Sequence, residues 1–251
     1  MKASFCLGFI TLTAVLVPAT ILAQTQQPTH APDGGTREGI QSIVILPKTG
    51  APFSAVVVTE WTRLLDDGTS TTIKNHRIVA RDSTGRIFEE RRYFSPTGDK
   101  VETPLSNLQY SDPDRHEYYN CVPTAKVCTL SAYYEPASVT TDASAGIKLP
   151  QGTIHEDLGQ QRIYDLDAIG TRETTTINYL GAEGNPHPEA LVKEFWYSPW
   201  LEINVIVKRQ EPRGGKQSFA VQNIDLTEPD PKLFIPPADY RVIDMRQSNT
   251  Q

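Results

Sequence analysis

Few residues in this 251-residue chain are spaced for chemistry. Its five histidines, His30, His76, His116, His155 and His187, nowhere show the His-x-x-x-His spacing that sets two imidazoles on one helix face for zinc. His155-Glu156-Asp157 is the densest set of metal-ligand types. On a strand, His155 and Asp157 point to one side and Glu156 to the other, so two ligands is the most the segment offers. The acidic pairs Asp66-Asp67, Asp112/Asp114 and Asp165/Asp167 lack the oxygen-rich loop and distal Glu of a calcium site. They read as turn openers, because Asp accepts hydrogen bonds from its own backbone. Gly-x-Ser-x-Gly, the P-loop and the dinucleotide fingerprint are all absent. A pair of carboxylates that meets only in space would leave no such trace. The expectation is a chain with no cofactor and no metal, non-enzymatic ahead of a carboxylate-based hydrolase.

The cysteines are more telling. Cys121 and Cys128 frame Cys-Val-Pro-Thr-Ala-Lys-Val-Cys. If Pro123 to Lys126 turns a hairpin, Val122 faces Val127 and Cys121 faces Cys128, near enough to bridge. In an oxidising compartment this predicts a structural disulfide; the spacing is unlike the Cys-x-x-Cys of redox pairs. Closing so short a loop stabilises by about 2–3 kcal/mol in the chain-entropy model.

Aromatic residues supply the candidate binding surface. Phe195, Trp196 and Tyr197 are consecutive, so alternation sets Trp196 opposite its neighbours, and Trp200 follows at a turn. With Trp61, Ile203 and Val205 they form a candidate apolar surface for a lipid or acyl chain, driven by burial at about 25 cal/mol per Å². A core Trp with a rim Tyr accounts for the same residues. The basic stretch Lys208 to Lys216 reads as a solvated hairpin tip.

These residues need a scaffold, and the chain's punctuation describes one. Met1-Lys2, an apolar run from Phe5 to Val17 and small residues up to Ala23 have the layout of a secretory signal peptide cleaved after Ala23. The remainder has no long apolar run, so the mature chain is expected in the periplasm or outside the cell, not integral to a membrane. The formal charge of −6 argues against nucleic acid as a partner. Residues 24–42 are polar with Pro and Gly and read as a flexible leader; 247–251 reads as a disordered tail. Between them, 43–246 is a series of short β-branched and aromatic runs separated by turn residues, with no sustained helical stripe. The predicted fold is all-β: one domain, a single curved antiparallel sheet forming an open half-barrel of about ten to twelve strands.

Several motifs have a familiar look. Pro52-Phe53-Ser54-Ala55, Asp67-Gly68-Thr69, Gly170-Thr171-Arg172, Trp196-Tyr197-Ser198-Pro199 and Glu228-Pro229-Asp230-Pro231-x-Leu233-Phe234 resemble an uncharacterised family of secreted bacterial β proteins. The ending, with Pro237-Ala238-x-Tyr240, is more distantly similar to the half-barrel of periplasmic lipoprotein carriers and of the related anti-sigma-factor regulator. The first resemblance implies no activity, and the second concerns shape. The functional expectation is an exported binding protein holding a lipid or other apolar ligand on the concave face. The alternative is an interaction module that pairs its sheet edge with an envelope protein.

Overall fold

The computed structural model describes residues 30–31, 43–96, 103–134, 152–177, 188–212 and 214–246. The predicted signal peptide with its Ala23 cleavage site, most of the 24–42 leader and the 247–251 tail lie outside these residues, as do 97–102, 135–151, 178–187 and 213.

The described chain is one open sheet. In sequence it comprises β1 (Phe53–Leu64), β2 (Ser70–Arg81), β3 (Ile87–Arg92), β4 (Ser95–Pro96), β5 (Leu105–Asp112), β6 (Glu117–Val122), β7 (Val127–Ala132), β8 (Thr153–Ile163), β9 (Leu166–Ile177), β10 (Glu189–Ser198), β11 (Ile203–Glu211), β12 (Gly215–Asp225) and β13 (Arg241–Asp244). A 3-10 turn, Pro231–Phe234, precedes β13. The spatial order is β13-β7-β6-β5-β3-β2-β1-β12-β11-β10-β9-β8, and β4 pairs with β2 off this path. The ends, β13 and β8, do not meet, so the sheet does not close into a barrel. One pairing departs from the antiparallel expectation, because β13 lies parallel to β7.

Local chemistry explains the tight turns. The β8–β9 hairpin is closed by Tyr164 and Asp165, both at positive φ (48° and 65°), the geometry that matches a two-residue loop to strand twist. The β6–β7 hairpin places Val122 opposite Val127 and Cys121 opposite Cys128, and the two cysteines are disulfide-bonded with Cα atoms 3.9 Å apart.

Two apolar clusters form on opposite faces of the sheet. On what we term the inner face, Phe53, Ala55 and Val57 of β1 pack with Val79, Phe195, Val207, Phe219 and Val221, all buried, beneath Ile43 and Ile45. On the outer face of the other half, Phe88, Tyr110, Cys121 and Cys128 pack under Phe234, with Leu233 and Tyr240 alongside. The chain after β12 thus covers the outer face, and the chain before β1 covers the inner one. As the apolar positions change sides, the inner face of β2 to β6 becomes polar, carrying Arg77, Glu89, Arg91, Gln109 and Asn120 in register.

Candidate functional site

The aromatic and aliphatic residues predicted to hold a ligand do not share one open surface. Phe195, Ile203 and Val205 are 0% exposed and belong to the buried core, filled against side chains of this chain. Tyr197 is buried, and burial pushes its phenol up in pKa, with Glu202 adding to the effect. Trp196 faces outward beside Ile206, its indole N–H donating to Glu194 (3.0 Å). Trp200, 46% exposed, stands on the β10–β11 turn. Trp61 donates to the Gly214 carbonyl at 2.7 Å and has Arg63 over its ring. In sequence, Leu201, Ile203, Val205 and Val207 alternate strictly with Glu202, Asn204 and Lys208, but a register slip between Trp196 and Tyr197 breaks that order and brings Asn204 inside at 1% exposure.

Asn204 has a specific occupant. Its side chain bonds both backbone groups of Ala31, and the His30 ring stacks on Phe195 with centroids 4.0 Å apart and planes within 9°. His30 Nε2 is 2.9 Å from Glu173, which His155 approaches at 3.8 Å. Burial raises the Glu173 carboxyl, but the His30 hydrogen bond and the nearby positive groups outweigh it and hold the acid below its ordinary range. Two residues of the segment expected to be a flexible leader are therefore fixed on the inner face. Polar–aromatic complementarity at one dipeptide achieves this, and composition does not report it.

Further along the same face, arginines hold the 43–51 segment by its carbonyls. Arg81, fully buried, donates to Ala51 twice (3.0 and 2.9 Å), to Leu46 (2.8 Å) and to Leu201 (2.9 Å). Burial lowers its pKa to about 10, against the pull of Glu202. Arg77 donates to Ile43 (3.2 Å) and to Glu89 (2.8 Å).

Between the Ile43–Ile45 segment and the polar half of the inner face is a cavity of about 300 Å³. Ile43, Ile45 and Ile87 form an apolar wall, and Glu89, Arg91, Gln109, Ser111 and Tyr118 a polar one. Burial raises the Glu89 carboxyl, yet Arg91 and Arg77 together hold it below its ordinary range. Arg91 donates to Gln109 (2.6 Å) and Glu89 (3.3 Å). Residue types alone did not single out this cluster. Its signal in the sequence is slight: Glu89 beside Phe88, Gln109 between Leu108 and Tyr110, and Arg91 within the charged run Glu89–Arg92.

A second cleft, about 440 Å³, lies on the outer face and has Glu60, Arg172, Glu194, Lys208 and Lys216 among its lining residues. It bears on the hydrolase alternative because two acids border it. Glu60 pairs with Lys74 (2.9 Å), and Glu194 with Lys208 (2.8 Å) and Arg172 (3.2 Å). Burial raises the Glu194 carboxyl, but bonds from Lys208, Trp196 and Arg172 hold it below the ordinary range, the opposite of what a general acid needs. Among the described residues no group of three or more His, Cys, Asp or Glu is placed to hold a metal, and no helix is long and apolar enough to cross a membrane.

No protein-family model and no curated protein matches the chain. Solved structures do match at low identity. An uncharacterised conserved protein of Thermus thermophilus is 12% identical over 77% of this chain and 90% of its own, with a TM-score of 0.39. The Pseudomonas aeruginosa MucA/MucB complex matches at 9% identity and a TM-score of 0.38; the match covers 77% of this chain but 58% of that one, less than two thirds of its length. A LolA-superfamily protein of Nitrosomonas europaea is 9% identical over 76% of this chain and 92% of its own, with a TM-score of 0.28.

Proposed function

We propose that this chain is an exported, non-enzymatic binding protein that holds a small amphipathic or acyl-chain ligand in the inner-face cavity beside Ile43 and Ile45. The carrying observation is the cavity itself: about 300 Å³, isoleucines on one wall and hydrogen-bonding side chains on the other. That volume lies at the lower end of small-ligand sites, which run from about 300 to 1,000 Å³. The positions on β10–β11 are filled instead: Phe195, Ile203 and Val205 are sealed in the core, so the ligand surface moves from β10–β11 to β3–β6. Export is inferred from the layout of residues 1–23 and fits the Cys121–Cys128 disulfide.

Native mass spectrometry of the mature protein and uptake of an apolar fluorophore test the reading. Wild-type protein is expected to carry or take up such a ligand, and Ser111→Phe, which fills the cavity, to lose it. Absence of ligand and of uptake in the wild type, or equal uptake by the variant, overturns the reading.

The alternative, an envelope protein added at the sheet edge, would use β8, which ends the sheet and is exposed along most of its length. It ranks second because β8 is bulged. Its register slips between Asp157 and Gly159, and the Asp157 carboxylate accepts the Gly159 N–H at 2.7 Å. Such bulges bend an edge away from further pairing.

A further inference from the structure

We infer that the inner-face cavity recognises a monoanionic head group, and that its ligand is an amphiphile with a carboxylate anchored by Arg91. This rests on the binding reading above and adds the chemistry of the head.

Glu89 and Arg91 are the charged residues among those lining the cavity, and Arg77 stands behind them. The Glu89 carboxylate is shared: Oε1 accepts from Arg77 at 2.8 Å and Oε2 from Arg91 at 3.3 Å. Two guanidinium groups, permanently protonated, thus face one carboxylate, leaving one positive charge at the cavity wall.

Geometry shows which arm of that charge lacks an acceptor. Arg91 commits Nε to Gln109 Oε1 and Nη2 to Glu89, while its buried Nη1 has no hydrogen-bond partner among the described residues. A buried charged donor left without an acceptor is costly, and an anion entering beside it would remove that cost once the guanidinium turns toward the cavity. The guanidinium is otherwise held in place beforehand. Gln109, which takes its Nε, also reaches Asn120 (3.5 Å), and Asn107 donates to the same Asn120 oxygen at 3.1 Å. Little ordering remains to oppose binding.

The apolar wall selects the rest of the ligand. A head group at Arg91 has Ile43, Ile45 and Ile87 beside it, so an alkyl or aryl body is buried as the carboxylate is paired. A monoanion balances the site; a dianionic phosphate monoester would leave a buried negative charge.

Isothermal titration calorimetry at pH 8 with dodecanoate, dodecan-1-ol and dodecyl phosphate, each below its aggregation concentration, tests this on the mature protein. Wild type is expected to bind dodecanoate about tenfold or more tighter than dodecanol, the loss usual for one charge-assisted hydrogen bond. Arg91→Gln is expected to abolish that preference while keeping dodecanol affinity, which also reports an intact cavity. Arg91→Lys, which keeps charge but not the planar fork, is expected to fall between. Equal wild-type affinity for dodecanoate and dodecanol overturns the head-group inference and leaves the binding reading standing. Tighter binding of dodecyl phosphate than of dodecanoate overturns the choice of carboxylate. Failure of all three amphiphiles to bind removes the binding reading itself.

Discussion

Asn204 grips Ala31 by both of its backbone groups: Oδ1 accepts the Ala31 N–H at 3.0 Å and Nδ2 donates to the Ala31 carbonyl at 3.0 Å. A side-chain amide here does what a neighbouring strand would do, and it fixes a dipeptide some 170 positions earlier in sequence on the core aromatic Phe195.

Asn204→Leu is therefore expected to destabilise the fold by about 1–3 kcal/mol, since it orphans two backbone groups in a buried place. Urea unfolding measures the loss. Hydrogen exchange at the Ala31 amide should accelerate in the same variant; an unchanged rate would show that the segment is held by something other than Asn204.

Gly170 supports Trp196 in a different way. A methyl group at Gly170 would stand 2.6 Å from the Trp196 ring and 2.9 Å from Leu158 Cβ, too close for either to stay. Gly170→Ala should cost about 1–3 kcal/mol through overpacking. Combining it with Trp196→Leu should recover part of that cost, and thermal unfolding of the two single variants and the double variant measures the coupling.

Arg81 is expected to tolerate no replacement. Lysine preserves charge but lacks the fork that reaches the carbonyls of Leu46, Ala51 and Leu201 together. Arg81→Lys should lose about 3 kcal/mol or more, close to Arg81→Ala, because buried carbonyls are left unmatched in both. A lysine variant as stable as wild type would show that charge, not geometry, is what the site uses.

Acid should loosen the inner face through Glu173. Its folded-state pKa lies below the ordinary 4.5, so the unfolded chain takes up the proton first as pH falls. The stabilisation is fully present above pH 4.5 and is lost as the pH drops through the lower, folded value. Glu173→Gln should flatten that part of the curve of unfolding free energy against pH, measured by urea denaturation from pH 7 downward. An identical slope in the variant would assign the acid response to other carboxylates, with Glu89 the next candidate.

Particular elements show what could be read before folding. Alternation in β1 put Phe53, Ala55, Val57, Thr59 and Trp61 on one side, and all but the half-buried Trp61 are buried there. The β6–β7 register followed from one four-residue turn between matched valines and cysteines. Both are local, decided within about a dozen residues. The 201–207 alternation misled because the slip against β10 turns Asn204 inward, and no residue within the strand announces it. Strand β13 is not legible locally for a related reason: four residues, Arg241 to Asp244, become a strand only through parallel pairing with β7, more than a hundred positions away.

Period-two alternation, present in each strand's own residues, makes the chain a β-sheet protein with two unlike faces before any long-range contact forms. It did not determine which face becomes interior. Glu89 follows Phe88 and Gln109 lies between Leu108 and Tyr110, just as solvent-facing residues would, while Arg91 sits in the charged run Glu89–Arg92, and only cross-strand registry aligns the three on the inner side. Their meeting with Ile43 and Ile45 is likewise a tertiary event, because the segment before β1 crosses a face that no local interaction chooses. The candidate site belongs to that second category. Its apolar wall, its polar wall and the arm of Arg91 draw on the 43–45 segment and on strands β3, β5 and β6, brought together by burial and hydrogen bonding.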